Sequence, residues 1–106
     1  MSGPLLILCT CPDAESAGRI ASALVEERLA ACVNRVPGLT SVYRWQGKIQ
    51  EDSEVLLLIK SRGELFESLR ARLVALHPYD VPEVIALGIA AGHAPYLEWL
   101  CRETSV

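Results

Sequence analysis

Cys9 and Cys11 stand one residue apart near the N-terminus, and the stretch HPYDVPE at 77–83 crowds a histidine, a tyrosine, two carboxylates and two prolines into seven positions. If the strand that begins at Leu5 continues far enough, alternation turns both thiols to one side. Soft thiolates suit monovalent copper or zinc. The same spacing also describes two small apolar side chains near a strand end, which is how buried cysteines ordinarily behave. His77 follows an apolar helical stretch, where its cation would meet the negative end of the helix. That structural role competes with metal ligation, which needs the neutral ring.

The remaining polar residues divide between turn building and site building. Pro78 stops a helix and Pro82 fixes the approach to a strand, because each forces extended geometry on the residue before it. Asp80 is an ordinary turn residue. Tyr79 offers an apolar ring with a polar tip, and Glu83 stands at the mouth of a buried strand. Lys60 closes the apolar run EVLLLIK. If Lys60 and Glu83 lie at facing strand ends, they form an ion pair or line a cleft between subunits. Trp45 and Tyr43 sit near a hairpin tip, where large aromatics anchor subunit contacts or line the same cleft.

Several classes of function lack support. His77 and His93 are the only histidines, and neither belongs to a serine–histidine–acid or cysteine–histidine–acid pattern. PGLTS and WQGK lack the spacing and helix context of a phosphate loop. We therefore expect no enzyme. The net charge is −3 without a basic run, so nucleic acid is not an expected partner. No apolar run approaches the roughly 18 residues of a membrane helix, and no basic start marks a signal peptide. A cytoplasmic protein with four reduced cysteines is the expectation.

These residues must be positioned by a single domain of 106 residues, 51% hydrophobic and 22% charged. LLIL at 5–8 reads as a buried strand. Asp13 can cap a helix whose stripe is Ala17, Ile20, Ala21, Leu24, Val25 and Leu29. Residues 32–45 and 48–60 read as a long hairpin around Gln46-Gly47, with a bend, bulge or edge at Pro37-Gly38. Leu65, Phe66, Leu69, Leu73 and Leu76 line a second helix. Residues 83–89 form a fourth strand, and APYLEWLCRE at 94–103 a closing helix that His93 helps to cap. The order β-α-β-β-α-β plus a helix predicts an α+β, ferredoxin-like domain with an antiparallel sheet and both helices on one face.

The other face should then be polar at alternate positions. It is not, because EVLLLIK, LLIL and VIAL are apolar without a break. Leaving about six large apolar side chains in water would forgo on the order of 10 kcal/mol, comparable to the stability of a whole domain. Ten residues of closing helix are too few to cover four strands, so copies of the chain should cover one another in an obligate homo-oligomer.

LCTCPD at 8–13, LAAC at 29–32, SVYRWQGKI at 41–49, HPYDVPE at 77–83 and YLEWL at 96–100 resemble, in order and over nearly the whole chain, the CutA family of divalent-cation tolerance proteins. The resemblance implies a homotrimer whose sheets pack around a threefold axis, copper binding and a role in metal tolerance. It also implies a likeness to the trimeric PII-type signalling proteins, which bind small ligands between subunits. By resemblance, Cys9 and His77 are copper contacts. Some relatives carry two histidines before the PY pair, where this chain has Leu76 first, and Cys11 is an additional thiol. A small-ligand or regulatory module using a cleft near Trp45, Lys60, Tyr79 and Glu83, or a structural scaffold, are the alternatives.

Overall fold

In the computed structural model, which describes residues 2–104, the LLIL run is the middle of a longer strand, β1 (Pro4–Cys11). Its odd-numbered side chains, Leu5, Ile7, Cys9 and Cys11, are all buried. The strand continues past the leucines because cysteine and threonine keep the alternation going until Pro12 ends it. Asp13 then caps α1 (Ala14–Glu26), accepting the Ser16 N–H at 2.8 Å. The helix is shorter than its apolar stripe predicts. Arg28 adopts φ 63°, the left-handed conformation that ends the helix, and leaves Val25 exposed.

β2 (Cys32–Trp45) and β3 (Lys48–Arg62) form the expected hairpin. Gln46 and Gly47 both have positive φ, 49° and 79°, as a two-residue turn between right-twisted strands requires. Pro37 and Gly38 interrupt the pairing, which steps from Val36↔Leu56 to Leu39↔Glu54. The bulge lies on an edge strand, where a missing proline N–H is tolerated. After a short 3-10 turn at Gly63–Leu65 comes α2 (Phe66–Leu76), which Pro78 terminates. β4 (Ile85–Gly88) is shorter than expected, pairing only with Leu5 to Leu8. Beyond Ile85 the edge of β1 meets the loop before β4, whose His77 ring bonds the Thr10 carbonyl.

All pairings are antiparallel and the sheet order is β2-β3-β1-β4. α1 and α2 cover one face. Ile20, Leu24, Leu69 and Leu73 enclose Ile7, Cys9, Leu57 and Ile59 there. Glu27 and Arg72 tie the two helices together by a two-pronged ion pair at 2.9–3.1 Å.

The final helix, α3 (Ala94–Glu103), crosses the other face at one end. Arg62 Nε donates to Thr104 Oγ1 and Nη2 to the Thr104 carbonyl, both at 3.0 Å. Cys32 lies on this side opposite Lys60 and near Tyr96. His93 caps α3 with its backbone carbonyl rather than its ring, accepting the N–H groups of Tyr96 and Leu97. The middle of the face is left bare. Ile85 and Leu87 are 51% and 48% exposed, Val36 is exposed, and Leu6, Leu8, Leu56 and Leu58 are half-buried. Beyond Val55 the hairpin has no third strand and projects as a two-stranded arm.

Leu69→Ala should remove about 2–5 kcal/mol of unfolding free energy, since Leu69 is enclosed by the chain's own core. Urea denaturation measures it. A loss below about 1 kcal/mol would mean that α2 is not held as described.

Candidate metal centre and the groove beside it

Because β1 runs on to Cys11, alternation brings both thiols to the helix side, fully buried. The end of α2 delivers the third group. His77 precedes a proline, so its backbone turns extended at ψ 138°, and the residue is only 7% exposed. The ligand atoms of Cys9, Cys11 and His77 all lie within 4.8 Å of one another.

Both nitrogens of the His77 ring are engaged. Nδ1 accepts the Tyr79 N–H at 3.1 Å, and Nε2 lies 2.8 Å from the Thr10 carbonyl, to which it donates. A nitrogen that accepts an N–H carries no proton, so this is the neutral ring. The cation expected at the helix end is therefore not the form held here. A carbonyl and an amide pin the ring instead, and a metal could join it only by displacing one of these bonds. The Tyr79 ring packs against it with centroids 4.7 Å apart.

The two thiols lie close enough to act on each other, which separates their acidities, while the Cys9 thiol also points at the Thr10 carbonyl 3.7 Å away. The neighbouring Cys9 thiol holds the Cys11 thiol below its ordinary value against the opposing effect of burial. The same interaction, followed by burial and the nearby Cys11, Glu83 and Glu54 charges, pushes Cys9 far up. Two sulfurs and one imidazole nitrogen, out of water and without a carboxylate among them, form a donor set that fits a soft cation.

On the opposite side of β1 lies a groove of about 650 Å³. Of the four residues expected to share a cleft, Trp45, Tyr79 and Glu83 line it and Lys60 does not. β3 continues past Lys60 to Arg62, so Lys60 is not at a strand end. It pairs opposite Leu6 and Cys32, and its ammonium bonds the Asn34 side chain. Glu83 lies beyond the other end of β4, near Thr10, which rules out the expected ion pair with Lys60 within one chain.

Sequence reasoning missed Glu54, which also lines the groove and is only 7% exposed. Its signal was faint: it stands in phase with Leu56 and Leu58, at the head of an apolar run. Tyr79 Oη donates to Glu54 Oε2 at 2.7 Å. Burial, then this bond, push the Tyr79 phenol well above its usual value. Nearby, Tyr43 Oη donates to the Asp52 carboxylate.

The profile of the CutA1 divalent ion tolerance protein family matches residues 5–103. A relative from Thermus thermophilus, named divalent-cation tolerance protein CutA, is 59% identical over 99 residues, 93% of this chain and 96% of its own length. The chloroplastic protein CutA of Arabidopsis thaliana is 52% identical over 94% of this chain, which spans 55% of that relative. The solved structure of a divalent cation tolerance protein (Cut A1) from Thermus thermophilus superposes with a TM-score of 0.94 at 57% identity. It covers 96% of this chain, which covers 99% of it.

Tyr79→Phe should cost about 1.5–3 kcal/mol at neutral pH, because a buried carboxylate loses its donor. The raised phenol also fixes a sign. Its contribution is fully present below the ordinary tyrosine value of 10 and is lost as pH rises above it. Urea titrations from pH 7 to 11 should show a steeper alkaline loss in the parent than in Tyr79→Phe, and parallel curves would refute the assignment.

Proposed function

The chain belongs to the CutA1 divalent ion tolerance protein family, and from that premise we propose that it is a trimeric, cytoplasmic metal-binding protein that holds copper through Cys9, Cys11 and His77. The observation that carries this reading is the convergence of those three ligand atoms within 4.8 Å, in a buried place. Cys9 and His77 are the copper contacts that the family resemblance implies. Cys11 adds a second sulfur and, with its lowered pKa, the readier thiolate. Soft thiolate ligands favour copper in its monovalent state over hard divalent ions.

The trimer rests on the bare half of the sheet. Ile85, Leu87 and Val36 present apolar area to water in a single chain, and the projecting arm does the same with Val42 and Ile49. A two-stranded ribbon is marginal by itself and gains stability by lying on a neighbour. Packing three sheets around an axis would bury these surfaces together.

Calorimetric titration of copper, under reducing conditions, should show binding that Cys9→Ala and Cys11→Ala each weaken by about tenfold or more. Unchanged affinity in Cys9→Ala removes that residue from the site. Ile85→Lys should lower the particle mass measured by analytical ultracentrifugation. A parent chain that stays folded as a single copy at nanomolar concentration would overturn the trimer.

A further inference from the structure

The groove is a second site, separate from the three metal-binding side chains. Its walls are three aromatic rings, Tyr43, Trp45 and Tyr79, and three carboxylates, Glu54, Asp80 and Glu83, and among the described residues no lysine or arginine lines it. Glu54 is the decisive group. It is more than nine-tenths buried, yet its carboxylate's only partner among the described residues is the neutral Tyr79 hydroxyl on Oε2. Oε1 accepts from no donor among the described residues and keeps contact with solvent, and no cation among them pairs with the carboxylate. A largely buried carboxylate with one oxygen still free to accept is a ready partner for a positive group that enters the groove.

The walls narrow what that group can be. A volume of about 650 Å³ falls in the range of sites for small organic molecules and greatly exceeds what one metal ion fills. The faces of tyrosine and tryptophan attract a desolvated ammonium through their negative π-clouds. Carboxylates supply the charge, and the Ser41 and Thr10 positions add polar edges. We propose that this groove binds a small organic cation, a protonated or quaternary amine, with its positive head against Glu54 and its carbon frame against the three rings. This assignment does not depend on copper at Cys9 and His77.

The test uses the full chain, kept in a metal chelator so that the metal centre cannot contribute. Protonated 1,4-diaminobutane and tetramethylammonium are titrated by calorimetry and by amide chemical shifts, with 1,4-butanediol as the neutral control and glutarate as the anionic one. A parallel arm without chelator titrates magnesium. The expected result is saturable binding of the two cations, with shifts centred on residues 41–45 and 79–83, and none for the diol or glutarate. Glu54→Gln should weaken the cations about tenfold or more, and Trp45→Ala, at an exposed site, about threefold or more. If Glu54→Gln does not fold, Glu83→Gln on the exposed rim gives the charge readout, with a loss of about threefold expected. The proposal is overturned if the diol binds as well as the diamine, if the carboxamide variants leave affinity unchanged, or if magnesium occupies the groove and the amines do not.

Discussion

The period-two alternation of the two central strands governs this molecule. β1 and β3 carry apolar side chains in both phases, and a strand cannot turn both phases to the same side. One phase is fully satisfied by α1 and α2. The other is left to whatever remains, and three different things happen along it. At the Arg62 end, α3 is clamped down and shelters the surface. At the Glu54 end, a carboxylate and aromatic rings open a groove. Between them, leucines, an isoleucine and a valine lie bare. The candidate metal centre and the groove are therefore not independent of the sheet's imbalance. Each occupies a place where the same alternation puts something other than a leucine.

The backbone of β1 is the partition between the two candidate sites. Cys9 and Cys11 face the helices while Thr10, between them, belongs to the groove. The loop after α2 reaches both sides. His77 bonds the Thr10 carbonyl and Tyr79 bonds Glu54, with the two rings in contact. A change of bonding at the imidazole would therefore be felt by the tyrosine next to it, and through it by the buried carboxylate. Glu54 and Glu83 also bear on the Cys9 thiol through space, raising the cost of its ionisation.

Much of the fold was legible because it is written in periodicities. The hairpin with its turn at Gln46-Gly47, the bulge at Pro37-Gly38, the Asp13 cap and the halt at Pro78 each depend on a few adjacent residues and were found where the local chemistry placed them. The bare face was legible for the same reason, since unbroken apolar runs need no tertiary information to be recognised. What failed depended on register. Whether Lys60 faces Glu83 is decided by how far β3 runs and by which residues pair across β1, quantities that no local pattern encodes. The protonation state of His77 likewise depended on two partners, an amide and a distant carbonyl, rather than on the helix end that composition suggested. Glu54 was invisible because a carboxylate at the edge of an apolar run reads as solvated until the loop from Tyr79 is seen to cover it.

The bulge at Pro37-Gly38 also sets the reading frame of the projecting arm. Before it, even-numbered residues of β2 share a face with Leu56; after it, Leu39 shares that face with Glu54, so the odd-numbered residues have taken over. Ser41, Tyr43 and Trp45 reach the groove only because of that one-residue slip. Paired without the bulge, the same strand would turn Val42 and Arg44 to that face and set a guanidinium where the aromatic rings now stand. The one extra residue at the kink therefore decides which chemistry the edge strand presents over Glu54, while the pairing of β3 with β1 is left as it is.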